Sequence, residues 1–190
     1  MINGVQIIAE VKTKSPFGFK SNRTWEELFK IAEGVGDIIS IHTDPRWGGS
    51  FDLVERAKKL TSKPILAKGI HSRDEDIIKA ISKGANYVLV VGRVPKIFFD
   101  RCLIEPLNFK QLKEIPQKCK VVWNSRDLSS GKLKKETFEQ ARKIWRGWLC
   151  QASNIKSIRD IKEGANAILV GSYLEEFAIS LKNSSTKRNF

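Results

Sequence analysis

Apolar runs rich in Val, Ile and Leu recur along the chain at 5–11, 37–43, 64–68, 87–92, 101–105, 120–124, 147–152 and 167–171. Most are bounded by Gly, Pro or polar residues, the punctuation of β-strands. Segments near 25–34, 51–61, 73–83, 108–115, 134–145, 157–163 and 174–183 carry helix-like patterns instead. Strands that are apolar almost throughout are buried on both faces, as in a parallel sheet covered by helices. Eight strands in alternation with seven helix-like segments predict an α/β fold, a closed (β/α)8 TIM barrel.

Two features refine this reading. "SRDEDIIKAISKGANYVLVVG" at 72–92 recurs in shortened form as "IRDIKEGANAILVG" at 158–171, each read as a helix feeding a strand. These are the fourth and eighth strands, as two facing half-barrels would produce, although Gly-Ala before a buried strand is also a common connection. Between the fourth and fifth strands only "RVPKIFFD" remains, whereas a parallel crossover takes a dozen or more residues and usually holds a helix. A reduced barrel without its fourth outer helix is therefore expected, with the outward apolar side chains of both strands laid bare. Ile97, Phe98 and Phe99 are expected to fold back over part of that flank, and a second copy of the chain to cover the rest. A short helical turn in "PKIFF", opening on Pro95, is the alternative.

The first strand poses a chemical question. Side chains alternate along it, so Ile7, Ala9 and Val11 share one face while Ile8, Glu10 and Lys12 share the other. Unpaired charges are costly to bury, so Glu10 and Lys12 either satisfy each other or face a cavity where something binds.

Composition narrows the class. With 190 residues and 41% hydrophobic content the chain can bury one substantial core, and no stretch divides it. A single domain over 1–190 is expected, ending in a disordered basic tail at 184–190. No apolar run is long enough to cross a bilayer, and the first residues lack the order of a signal peptide, so a cytoplasmic location without membrane contact is expected. The formal charge of +13 raises nucleic acid as a partner. The basic residues are scattered, however, through "KKLTSK", "KLKK" and "KNSSTKRNF", with no recognition-helix or aromatic pattern for reading bases. A solvated basic surface that attracts anionic metabolites is the better reading, without nucleic acid. Cys102, Cys119 and Cys150 form no CxxC pair and read as small core hydrophobes; no metal site or cofactor is expected.

Seven stretches taken together resemble one family. "IIAEVKTKSP" (7–16), "ISIHTDPRWGGS" (39–50), "PILAKGI" (64–70), "LIE" (103–105), "NSRDL" (124–128), "QASNI" (151–155) and "AILVGS" (167–172) follow the order and spacing of indole-3-glycerol-phosphate synthase. That family is a (β/α)8 barrel of tryptophan biosynthesis. It closes the indole ring of 1-(2-carboxyphenylamino)-1-deoxyribulose 5-phosphate with loss of carbon dioxide and water. The resemblance implies a phosphorylated small-molecule substrate and no cofactor. It also implies that Lys68 is the leading general acid, Lys12 the ligand of the substrate carboxylate or alternate acid, and Glu105 the general base. Glu10 would orient both lysines. Asn124 would hydrogen-bond the substrate with Arg126 in support, and Ser153 and Trp47 would line its site. The phosphate would lie on Ser153, Asn154, Gly171 and Ser172, approached by Ser15 and Lys12, where barrels present backbone N–H groups after their last two strands.

Plainer readings stand beside these. Lys12 can be a solvated loop cation, Glu105 a polar strand end, Asn124 and Asp127 a turn framework, and Gly171 and Ser172 a helix cap. The chain also departs from the family pattern. Ala152-Ser153-Asn154 stands in place of Glu-Ser-Gly, Lys68-Gly69-Ile70 in place of Lys-Asp-Phe, and the N-terminal helical extension is expected to be missing. Phe17, Trp47 or Trp123 could stack in place of the lost aromatic. The same fold with a slower or shifted reaction is expected. Another phosphosugar-processing barrel enzyme, or a silent barrel acting as an interaction protein, are the alternatives. Partners could be a second copy or other tryptophan-pathway enzymes.

Overall fold

The computed structural model describes residue 2 and residues 4–186. Its strands are β1 (Gln6–Val11), β2 (Ile38–His42), β3 (Ile65–Lys68), β4 (Tyr87–Val91), β5 (Cys102–Glu105), β6 (Lys120–Asn124), β7 (Leu149–Ala152) and β8 (Ala167–Val170). Each pairs in parallel with the next, and β8 returns to β1 to close the TIM barrel. The outer helices are α1 (Trp25–Val35), α2 (Phe51–Leu60), α3 (Asp74–Ser82), α4 (Phe109–Glu114), α5 (Phe138–Ile144) and α6 (Leu174–Thr186). Polar side chains start most of them: Thr24 and Glu27 form a capping box before α1, and Ser50, Asn108 and Thr137 cap α2, α4 and α5. None of the described helices is long and apolar enough to cross a membrane.

Two crossovers lack a helix. Between β4 and β5 the chain makes one 3-10 turn, Phe99–Arg101, so the fourth outer helix is absent as the spacing predicts. Phe99 folds back over the flank as expected, but no remainder is left bare for a second copy. Outward-facing Val88 and Val90 of β4 and Cys102 and Ile104 of β5 are at most 1% exposed. Val94 and Phe99 pack onto the same core, Pro95 is buried, and the Lys118 ammonium lies 4.8 Å from the Phe99 ring centre. Phe98 turns away into solvent, in a left-handed conformation with φ 47°. The short connection thus covers the flank within one chain, and this flank gives no reason for a second copy.

The helix expected over 157–163 is a single 3-10 turn, Ile158–Asp160. Outward-facing Gln151 clamps it, donating to the Asp160 carbonyl and accepting from the Lys162 amide, both at 2.9 Å. The internal echo is therefore a helix at α3 but only a turn before β8. The helix expected over 134–145 begins at Phe138, because Lys134 is tied by its amide to the Ser125 carbonyl and Leu133 bridges to Arg126. Of the expected tail, 184–186 belong to α6, and 187–190 lie outside the described residues.

The barrel interior is built from the inward faces of the strands. Ile8, Ile38, Leu66, Leu89, Leu103, Val122, Cys150, Ala167 and Leu169 fill its lower part. The opposite faces, including Ala9, Ile39, Ile41 and Ile65, pack outward on the helices. Two residues further along β1, β3, β5 and β6, the same inward alternation brings Glu10, Lys68, Glu105 and Asn124 to the C-terminal mouth. The three cysteines are free and buried.

Candidate active site

The buried charges of β1 answer to neighbours across the barrel. Glu10 Oε1 lies 3.1 Å from Lys68 Nζ and 2.7 Å from His42 Nε2. Burial alone would push the Glu10 carboxyl up. The cations Lys68 and Lys12, with His42, outweigh it and hold the group well below the usual carboxylate range. Lys12 reaches across to Ser172, whose Oγ accepts from Nζ at 3.0 Å. Burial lowers the proton affinity of Lys12, and Glu10 partly restores it.

Glu105 is in the opposite situation. It is 1% exposed, and burial pushes its carboxyl up; nearby Lys68 and the Asn124 amide, which donates to Oε1 at 2.9 Å, only partly compensate. Asn124 in turn accepts from Ser153 Oγ at 2.6 Å and from the Arg126 amide at 3.0 Å. The Arg126 guanidinium donates to the Gly131 carbonyl at 2.6 Å and to Asn154 Oδ1 at 3.1 Å. Asp127 is a turn former, as the plainer reading has it: its Oδ1 accepts from the Ser129 amide and hydroxyl.

Two adjoining spaces open over this network. A cavity of about 290 Å³ is lined by Glu10, Lys12, Lys68, Asn124, Arg126 and the phosphate candidates Ser15, Ser153, Asn154, Gly171 and Ser172. A recess of about 30 Å³ shares Lys68, Asn124, Trp47 and Leu128 with it and adds Glu105, walled by Ile70, Leu89 and Val91. The structure thus gathers every residue assigned from the sequence around one mouth. Ser15 is the least available, since its Oγ already accepts from the Phe17 and Phe19 amides at 3.3 Å. Lys12, Lys68 and Arg126 outnumber the two carboxylates on the cavity wall, Glu10 and Glu176, so the cavity suits an anionic ligand.

No family model matches the chain. It is similar to the indole-3-glycerol phosphate synthase of Sulfurisphaera tokodaii, 33% identical over 196 aligned positions that span 88% of this chain and 77% of that protein. The chain belongs to the indole-3-glycerol phosphate synthase family. A second relative of that name, from Pyrococcus abyssi, is 36% identical over 94 positions, 47% of this chain and 41% of its own length. Among solved structures, 3-hexulose-6-phosphate synthase superposes with a TM-score of 0.63 at 14% identity, covering 93% of this chain and 99% of its own. A variant citrate synthase reaches 0.60, also at 14%, covering 97% and 96%. These two likenesses concern the fold alone.

The departures of this indole-3-glycerol phosphate synthase family member now have physical settings. Asn154 adopts φ 57°, a left-handed conformation that asparagine tolerates better than most residues, and Ser153 before it has φ 77°. Gly69 leaves room for a buried pair: a Cβ there would fall 2.3 Å from Thr43 Oγ1, which lies 2.9 Å from His71 Nε2. Ala152, 3% exposed beside Asn124 in the register, brings no charge. Of the aromatic candidates, Trp47 and Phe17 line the cavity, whereas Trp123 packs outside the barrel against Phe109. Sequence reasoning missed His42 and Leu128. The inward alternation Ile38, Ser40, His42 along β2 was the signal for the first; Leu128 lies beyond a strand end and left none.

Proposed function

We propose that this protein is an indole-3-glycerol-phosphate synthase, closing the ring of 1-(2-carboxyphenylamino)-1-deoxyribulose 5-phosphate with release of carbon dioxide and water. The observation that carries this reading is the opposite treatment of two carboxylates around one ammonium. Glu10, 3.1 Å from Lys68, is held ionised, whereas Glu105 has its proton affinity raised by burial. Pairs of titratable groups pushed apart in this way are how one site provides acid and base together.

In this reading Lys68, oriented by Glu10, donates its proton to the substrate ketone as the new carbon–carbon bond forms. Lys12 holds the carboxylate until it leaves as carbon dioxide, and its lowered proton affinity suits an alternate acid. Glu105 takes up a proton from the carbon beside the nitrogen as the hydroxyl, given a second proton by Lys12 as the alternate acid, departs as water, which completes the aromatic indole. Asn124, fixed between Glu105 and Ser153, keeps the base aligned and binds substrate, with Arg126 in support. Trp47 and Phe17 on the wall of the larger cavity offer faces to the aryl ring, with the small recess beside Glu105 open to its edge. Ser15, Lys12, Ser153, Asn154, Gly171 and Ser172 would receive the phosphate.

Incubating purified protein with that substrate and following indole fluorescence tests the reaction; no rise across pH and concentration counts against it. One observation favours a second reading, a barrel that binds phosphosugars without turnover: Ala152 brings no carboxylate to the cavity. Calorimetric binding of the indole product by a protein that shows no turnover would select it.

A further inference from the structure

His42 is one of two histidines in the chain and has so far no role. It is 5% exposed and sits at the C-terminal end of β2, opposite Lys68 in the barrel register. Its Nε2 is 2.7 Å from the same Glu10 oxygen that holds Lys68. The approach is oblique, so neither ring nitrogen has a well-directed hydrogen-bond partner and the contact with Glu10 is chiefly electrostatic. The ring lies parallel to Trp47, with 4° between planes and 5.5 Å between centres. It also lines the recess that contains Glu105.

A lone pair this close to a carboxylate would be repelled, so Nε2 carries the hydrogen and Nδ1 is bare. The charged groups that face the ring are Glu10 from β1, Lys12 just beyond it, Lys68 from β3 and Asp44 from its own loop. Burial keeps the imidazole neutral, opposed by Glu10 and seconded by Lys68 and Lys12. A second ammonium-like charge on Glu10 would compete with Lys68 for one oxygen, whereas a neutral N–H shares it.

We propose that His42 is a positioning residue: its Nε2–H holds the Glu10 oxygen that orients Lys68, while stacking on Trp47 ties that carboxylate to the cavity wall. This assignment builds on the reaction proposed above. It makes two separate demands, one on the resting protein and one on turnover.

On the resting protein, the two imidazoles can be followed by NMR through a pH titration. Glu10→Gln removes the charge that raises the His42 midpoint, so that midpoint should move further to acid while His71 stays in place. An unchanged His42 midpoint would overturn the pairing. In turnover, His42→Leu removes the N–H and should lower kcat at least about ten-fold with KM within about two-fold, the mark of an interaction that acts on orientation. His42→Gln places an amide N–H near the same point and should recover most of the loss. Equal loss in both variants, with folding intact by circular dichroism, would overturn the role. An inert wild type would overturn the reaction instead and leave the NMR titration to decide the pairing.

Discussion

Glu10 and Gly171 are packed so closely that a methyl group on Gly171 would lie 2.1 Å from Glu10 Oε2. Gly171 has no left-handed backbone to explain it, so the glycine is there for space. Gly171→Ala is expected to displace the Glu10 carboxylate and with it Lys68. Overpacking of this kind costs about 1–3 kcal/mol, and misplacement of the acid should lower kcat/KM about ten-fold or more. Urea denaturation and steady-state kinetics on one preparation read both; wild-type turnover in the variant would show that Glu10 does not orient the acid.

Lys68→Met keeps most of the bulk and removes the ammonium. Turnover should fall by about 10²-fold or more if Lys68 is the general acid. Glu10 keeps His42 and Lys12 as neighbours, so the variant should remain folded. Near-normal turnover would remove Lys68 from the acid role.

The pH dependence follows from the sign of each shift. Glu105 has its folded proton affinity raised, so its stabilising contribution is full below the unfolded value and is lost as pH rises through the folded one. Glu105→Gln, which cannot ionise, should therefore gain stability relative to wild type as pH climbs through that window. As the base, Glu105 also sets an acid limb in the profile of kcat/KM, above the ordinary carboxylate range. Asn124→Ala removes a donor to the carboxylate and should move that limb to higher pH; a limb that moves to lower pH, or not at all, contradicts the pairing. Glu10 behaves oppositely: its contribution is present above the unfolded value and is lost as pH falls through the folded one.

The helix-free connection from β4 to β5 predicts unequal costs for adjacent phenylalanines. Phe99 packs on the core that covers Val88, Val90, Cys102 and Ile104, so Phe99→Ala should destabilise by about 2–4 kcal/mol. Phe98 is 42% exposed, and Phe98→Ala should stay within about 0.5 kcal/mol. Thermal or urea unfolding compares them directly, and similar losses would mean that the flank is covered some other way.

The eight-strand barrel was legible in the sequence because each strand is a local apolar run of fixed period, and the inward placement of Glu10, with Lys12 just past the strand end, follows from the alternation along β1. The missing fourth helix was legible too, since chain length between two strands bounds what can fit. Motif resemblance then named the residues around the mouth, while their meeting there needed the barrel to close: Glu10 and Lys68, or Lys12 and Ser172, are neighbours only across it. The tertiary structure decided the rest through contacts with no local signature. Gln151 clamps a turn where periodicity suggested a helix, Val94 joins Phe99 over the flank while Phe98 turns away, and Thr43 with His71 fills the space that Gly69 leaves. Opposite proton affinities for Glu10 and Glu105 likewise arise from which cations close around each buried carboxylate, a property of packing that no residue's own sequence neighbours carry.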